Sequence, residues 1–247
     1  MAGHSQFKNI MHRKGAQDAK RAKLFAKLAR EITVAAKSGM PDPKQNPRLR
    51  NAMINARHEN MPNDRINKAL QKATSNDDNT QYDEMRYEGI ANNGVFLIIE
   101  TLTDNKNRTA SEIRTILNKN GGMLGETGSA SFNFDKIGEV KYDSLNISKE
   151  KFFDFSIDKN ALDVIEEGPY IISTCNPENF SKFRDDLELE FGEPKKSELI
   201  WKAKNPIKLE PDIEKKVLSL IDLLEENDDI QCVNSNIKLN QDIEEKK

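Results

Sequence analysis

At residues 74–81, TSNDDNTQ, the hydrophobic rhythm of the chain changes, and no other feature constrains the fold as much. Before this point apolar residues recur at steps of three and four, the spacing of helices that bury one face. After it, short apolar runs bounded by turn residues alternate with helix-spaced stretches, the pattern of a mixed α+β body. The segment itself carries no apolar anchor, so it reads as a linker between a helical head and that body. A chain of 247 residues suits two or three domains of modest size.

In the head, a helix over 17–38 has the apolar stripe Ala22, Phe25, Ala29, Ile32 and Ala36. Lys20, Lys23, Lys27 and Arg30 use the same steps on the opposite side, so one face meets a core and the other meets solvent. Gly39 reads as the C-terminal cap. Pro41 and Pro43 break the chain, and Asn46-Pro47 reads as N-cap and first residue of a helix to residue 59. Leu49, Ala52, Met53 and Ala56 point inward there, with Arg50 and Arg57 on the flank. Pro62 opens a third helix, with Ile66, Ala69, Leu70 and Ala73 inward and Arg65, Lys68 and Lys72 outward. Three short helices joined by proline-containing turns make a small bundle. Residues 1–15 show no apolar period and read as an extended or disordered basic tail.

The body opens with strands at 82–90 and 94–103 around the turn Asn92-Asn93-Gly94. The unbroken run Val95-Phe96-Leu97-Ile98-Ile99 suits a central strand buried on both faces. A helix over 108–120, a glycine-rich loop at 121–129 and a strand over 130–134 follow. Residues 137–205 repeat strand, helix, strand, strand, helix, strand, which is the ferredoxin-like order. A helix over 211–226 buries Ile213, Val217, Leu220, Ile221 and Leu224, and a strand covers 230–239. Because 82–135 is short of elements for a closed core, the last helix and strand are expected to return to it. The expectation is a three-domain α+β chain: a helical domain at 1–76, a middle domain at 77–136 with 206–247, and a ferredoxin-like domain inserted at 137–205.

Charge divides along the same line. Residues 1–73 hold 16 Lys/Arg against 5 Asp/Glu, leaving 22 against 36 for the rest, so a net charge of −3 hides a basic head on an acidic body. A concentrated basic stripe attracts polyanions, of which nucleic acid is the commonest. Acidic residues at i,i+4 are few, Asp18 after Lys14 and Glu31 after Lys27, and leave most of the face without a local counter-charge. The candidate nucleic-acid contacts are Lys8, His12, Arg13, Lys14, Lys20, Arg21, Lys23, Lys27, Arg30, Arg50 and Arg57. If about six of them neutralise phosphates, log K falls with log salt at a slope near −5 on duplex DNA and near −4 on a single strand. The pattern lacks zinc-finger spacing, an RNP aromatic motif and a compact helix-turn-helix, so it specifies a polyanion and not a sequence. The acidic body is a candidate surface for a protein partner.

Other constellations carry less. GGMLGETGS at 121–129 lacks the Gly-Lys-Ser/Thr of a P-loop and reads as a tight turn with several positive φ values. The alternative is that its amides contact a phosphate, with Asn107, Arg108 and Thr109 nearby. Glu100, Asp104 and Glu112 read as solvated carboxylates, and His4, His12 and His58 lack metal-ligand spacing, so no metal and no cofactor are expected. An enzyme built on the glycine-rich loop and Glu126 would have no complete catalytic set, and a non-enzymatic role is expected. Cys175 reads as buried, not nucleophilic, and Trp201 as core or interface. No apolar run is long enough to span a bilayer, and the start has neither a signal-peptide core nor the serine enrichment of a transit peptide. Two distant cysteines, Cys175 and Cys232, then read as reduced thiols of a cytosolic protein, expected to be a monomer.

Almost the whole chain resembles the YebC family, which includes the mitochondrial translational activator of cytochrome oxidase subunit one. In the head the likeness rests on Ala2-Gly3-His4-Ser5, His12-Arg13-Lys14, Gln17-Asp18, Lys20-Arg21, Arg30-Glu31-Ile32, Asn46-Pro47-Arg48-Leu49-Arg50 and Asn60-Met61-Pro62. In the body it rests on Tyr87-Glu88-Gly89, Glu100-Thr101-Leu102-Thr103-Asp104-Asn105, Asn107-Arg108-Thr109, Leu124-Gly125-Glu126, Gly128-Ser129 and Asp228-Asp229-Ile230-Gln231. Gln6-Phe7 departs from the family's usual Lys-Trp pair, and Ala91-Asn92-Asn93 replaces a Gly/Pro-rich turn. The resemblance implies a three-domain α+β protein that controls gene expression. It implies a DNA-binding transcriptional regulator or, alternatively, a ribosome-associated translation factor that binds ribosomal RNA and aids synthesis of proline-rich nascent chains.

Overall fold

The computed structural model describes the backbone of residues 14–75 and 80–239, and side chains from residue 20 onward. Most of the expected basic tail, 1–15, lies outside the described residues. Helices α1 (Lys14–Lys37), α2 (Pro47–His58) and α3 (Asn63–Thr74) come first. Strands β1 (Asp83–Ala91) and β2 (Val95–Thr103), helix α4 (Lys106–Lys119) and the short strand β3 (Met123–Leu124) follow. Next come β4 (Phe134–Asp143), α5 (Lys149–Asp158), β5 (Asp163–Glu167), β6 (Tyr170–Cys175), α6 (Phe180–Phe191) and β7 (Lys196–Ala203). Helix α7 (Pro211–Glu225) and strand β8 (Ile230–Ser235) close the described chain. The strands form two sheets, ordered β3-β1-β2-β8 and β5-β6-β4-β7. The fold class is α+β, with several domains.

The chain divides into two units. One holds α1 up to Lys27, the segment from β1 to the first residues of β4, and everything from Trp201 onward. In it, β1 and β2 pair antiparallel from Asp83↔Thr103 to Ala91↔Val95. Asn93 and Gly94 turn the chain with φ of 61° and 74°, the left-handed geometry that Asn and Gly tolerate best in a hairpin. Strand β8 lies beside β2, so β2 is central. Its Leu97 and Ile99 face α4 and α7, packing with Ile113, Leu117, Val217, Leu220, Ile221 and Leu224. Its Ile98 faces the other way, onto Ala130 and Phe134. Both faces are thus closed, which is why the apolar run is continuous.

The strand expected over 130–134 does not form. Residues Ser131–Asn133 make a 3-10 turn and β4 begins at Phe134. The amides of Ala130 and Ser131 donate to the Glu88 carboxylate at 2.6 and 2.9 Å, so they have no donors left for a strand ladder.

The other unit holds α1 from Leu28, α2, α3 and residues 136–200. Within it β4, α5, β5, β6, α6 and β7 follow the ferredoxin-like order, with β6 antiparallel to both β4 and β5. Its core is Val140, Tyr142, Phe152, Ile171, Phe183 and Leu187. In the helical segment one side chain joins two helix ends. The Asn46 carboxamide oxygen accepts from the Leu49 amide at 3.0 Å and caps α2. Its nitrogen donates to the Ala35 and Met40 carbonyls at 2.8 and 2.9 Å and closes the end of α1. Gly39 has no positive φ, so the expected left-handed cap is absent. A Cβ there would stand 2.8 Å from the Asn46 nitrogen, and this close approach is what requires glycine. Asn51 and Asn55 of α2 both donate to the Ser197 carbonyl, at 2.9 and 3.1 Å. They occupy a backbone group on β7, an edge strand, that would otherwise invite pairing.

Candidate nucleic-acid interface

Lys8, His12 and Arg13 lie outside the described residues, and Lys14 is the first residue of α1. Lys20 and Arg21 are exposed on that helix. The Arg21 guanidinium lies over the Phe25 ring, 5.4 Å from its centroid. Arg30 is half-buried. On α2, Arg57 is exposed, whereas Arg50 is tied to Asp185 at 2.6 Å. The Arg50 charge is therefore committed inside its own unit. Ala22, expected to face a core, is exposed; Phe25, Ile32 and Ala36 are buried.

The expected solvent face of α1 has a second set of neighbours. Lys23 donates to the Glu226 carbonyl at 2.9 Å and Lys27 to the Glu225 carbonyl at 2.6 Å. Both carbonyls belong to the last turn of α7, where helix C-termini leave acceptors unserved. Lys23 also lines an open groove with Glu112, Thr115 and Ile116 of α4 and Leu223, Glu226 and Asn227. Nothing in the local sequence of α1 or α7 signals this contact.

The glycine-rich loop holds an anion of its own. The Glu88 side chain, 3% exposed as a residue, accepts from the amides of Gly128, Ala130 and Ser131 at 3.0, 2.6 and 2.9 Å. Burial by itself would raise its pKa, but these bonds outweigh it and hold the carboxyl below the usual glutamate value. The amides that a phosphate could have used are thus taken by a side chain from β1. Gly121 and Gly128 have the expected positive φ; Gly122 and Gly125 do not.

A second buried carboxylate ties α4 to the α7–β8 turn. Asp229 Oδ2 lies 2.7 Å from Arg108 Nη2, 2.7 Å from the Thr109 hydroxyl and 3.1 Å from the Thr103 hydroxyl. The hydrogen bonds that Arg108 donates to Asp229 and Asp104 push its pKa still higher. Asn105 caps α4 by accepting from the Arg108 amide at 3.1 Å. Thr103, Asp104, Asn105, Arg108 and Thr109 therefore act together as a structural joint, with no phosphate required.

The remaining carboxylates are separate. Glu100 accepts from the Trp201 indole at 3.0 Å, Asp104 from Arg108 at 2.7 Å and Glu112 from Asn227 at 2.6 Å. Among the described residues no group of His, Cys, Asp and Glu is placed to hold a metal ion. His58 is 3.6 Å from Glu193. Cys175 is buried, and burial pushes its thiol up to about 11, so little of it is thiolate at neutral pH. No described helix is long and apolar enough to cross a membrane. Sequence patterns gave no sign of Arg184, which is 1% exposed, pairs with Asp185 and donates to the Pro47 carbonyl at 3.1 Å.

This architecture, a helical head followed by two α+β sheets, recurs in proteins of known sequence and structure. A family model described as the TACO1/YebC N-terminal domain matches residues 5–76, and one described as the TACO1/YebC second and third domain matches residues 82–237. The crystal structure of a conserved hypothetical protein, Aq1575, from Aquifex aeolicus is similar with a TM-score of 0.80 and 35% identity. That match covers 94% of this chain and 96% of the other. The chain belongs to the TACO1/YebC family.

Proposed function

We propose that the protein is a nucleic-acid-binding regulator of gene expression that engages DNA through its basic head. The observation that carries this reading is the partition of charge, 16 Lys/Arg against 5 Asp/Glu in residues 1–73 and the reverse excess beyond. Exposure of Lys20 and Arg21 on α1 and of Arg57 on α2 supports it. The exposed outer face of α3, with Arg65, Lys68 and Lys72, adds to the same potential. The loop and carboxylate clusters of the body are engaged internally, which leaves the head as the best candidate for the function.

The test is competition between two polyanions. The purified protein is sedimented with ribosomes at physiological salt, with and without excess genomic DNA. Transfer to the DNA, lost when the charges of Lys14, Lys20 and Arg21 are removed, is the expected result. Retention on ribosomes despite the DNA would replace a DNA target with ribosomal RNA, and a role in transcription with one in translation.

A further inference from the structure

The last turn of α7 has the wrong charge for its position. A helix C-terminus carries partial negative charge and is normally followed or flanked by cations. Here the sequence is Asp222-Leu223-Leu224-Glu225-Glu226-Asn227-Asp228, and the last turn holds no basic residue. The carboxylates also act on one another. Burial, then Glu225 and Glu226, raise the pKa of Asp222 while Lys20 opposes them. A cation four residues away in α7 would have relieved this permanently. Asp222 is relieved instead by Lys20, while Lys23 and Lys27 serve the Glu226 and Glu225 carbonyls; the three form one stripe of a helix about 200 residues earlier in the chain.

We propose that the acidic end of α7 masks the basic face of α1, with Asp222, Glu225 and Glu226 standing in for the phosphates that Lys20, Lys23 and Lys27 would meet. This rests on the reading of α1 as a nucleic-acid-binding element. Lys23 and Lys27 each donate to a carbonyl at the end of α7, and a phosphate approaching this stripe also approaches the carboxylates, which repel it. Nucleic acid therefore binds fully only when α1 leaves the end of α7. The apparent affinity is lowered by the fraction of molecules in which α1 is docked. The contact is well suited to release, because Lys20 and Glu226 are exposed and Lys23 and Lys27 are half-buried, so salt screens the charges that hold it.

The test uses the full chain and two probes, a short mixed-sequence DNA duplex and a single-stranded RNA of the same length, at low salt. The unmasked variant is Asp222→Asn with Glu225→Gln and Glu226→Gln. A control, Glu150→Gln with Asp154→Asn and Asp158→Asn, removes the same three charges from α5. The unmasked variant is expected to bind about tenfold tighter, equivalent to about 1.4 kcal/mol, while the control gains no more than about twofold from the change in net charge. Equal gains in the two variants, or no gain in the first, overturn the mask. Failure of all three chains to bind either probe overturns the nucleic-acid reading itself. Should the triple variant not fold, Glu226→Gln alone, at an exposed position, is expected to give a gain of about twofold that Glu150→Gln does not.

Discussion

Replacing Glu88 with alanine is expected to cost the protein about 3 kcal/mol of stability, since each buried donor left without a partner costs roughly 1–3 kcal/mol. Three amides converge on this carboxylate, and Ala130 is fully buried. Water cannot reach the Ala130 amide without opening the loop, so that loss dominates. The nearby Arg86, 3.6 Å away and partly exposed, contributes much less. In a calorimetric scan the transition of the unit that contains β1 and β2 should fall by about 6–12 °C. Glu88→Gln keeps one acceptor oxygen and should lose about half as much. A loss under about 1 kcal/mol for Glu88→Ala would mean that the loop finds other acceptors.

The same site sets a pH dependence. The folded pKa of Glu88 lies below its ordinary value, so the folded state binds the proton less readily than the unfolded chain does. Its contribution is complete above the unfolded glutamate pKa of about 4.3 and is lost as the pH falls through the lower folded value. Glu88→Gln should flatten the acid limb of the stability curve.

Asp229→Ala is expected to cost about 2 kcal/mol, because the buried carboxylate accepts from two hydroxyls, whereas its Arg108 partner is nearly half exposed and stays hydrated. Asp229 is 5% exposed, and removing it takes one acceptor from each of two hydroxyls and from the Arg108 guanidinium, leaving the hydroxyls their bonds to each other and to the Asn105 backbone. The Arg108–Asp104 pair is nearly half exposed on both sides, and Asp104→Ala should cost only a few tenths of a kcal/mol. Chemical denaturation separates the two. Similar losses for both would show that the buried bonds to Asp229 carry no special weight.

Much of the architecture is legible in the residues because it depends on local period. The Asn46-Pro47 helix start, the Asn93-Gly94 turn and the double-sided burial of β2 follow from turn chemistry and from an unbroken apolar run. The ferredoxin-like segment is readable from the order of its elements. What the sequence does not reveal depends on partners far along the chain. The strand expected at 130–134 fails because Glu88, more than forty residues earlier, takes its amides. Gly39 is explained by the Asn46 side chain and not by helix capping. Lys23 and Lys27 look like solvent-facing charges until α7 is brought beside them. Arg50 looks like a phosphate ligand until Asp185 is in place. Charge composition locates a basic region; the packed structure shows that some of its cations are already engaged.

The most direct test of the central claim is the salt dependence of affinity for a DNA duplex, measured on the full chain and on Lys20→Gln with Arg21→Gln. Binding through the basic head predicts a slope of log K against log salt near −5, shallower by about one for each exposed cation removed. A shallow slope that the two substitutions leave unchanged would contradict it, and the basic head would then be a solvated surface.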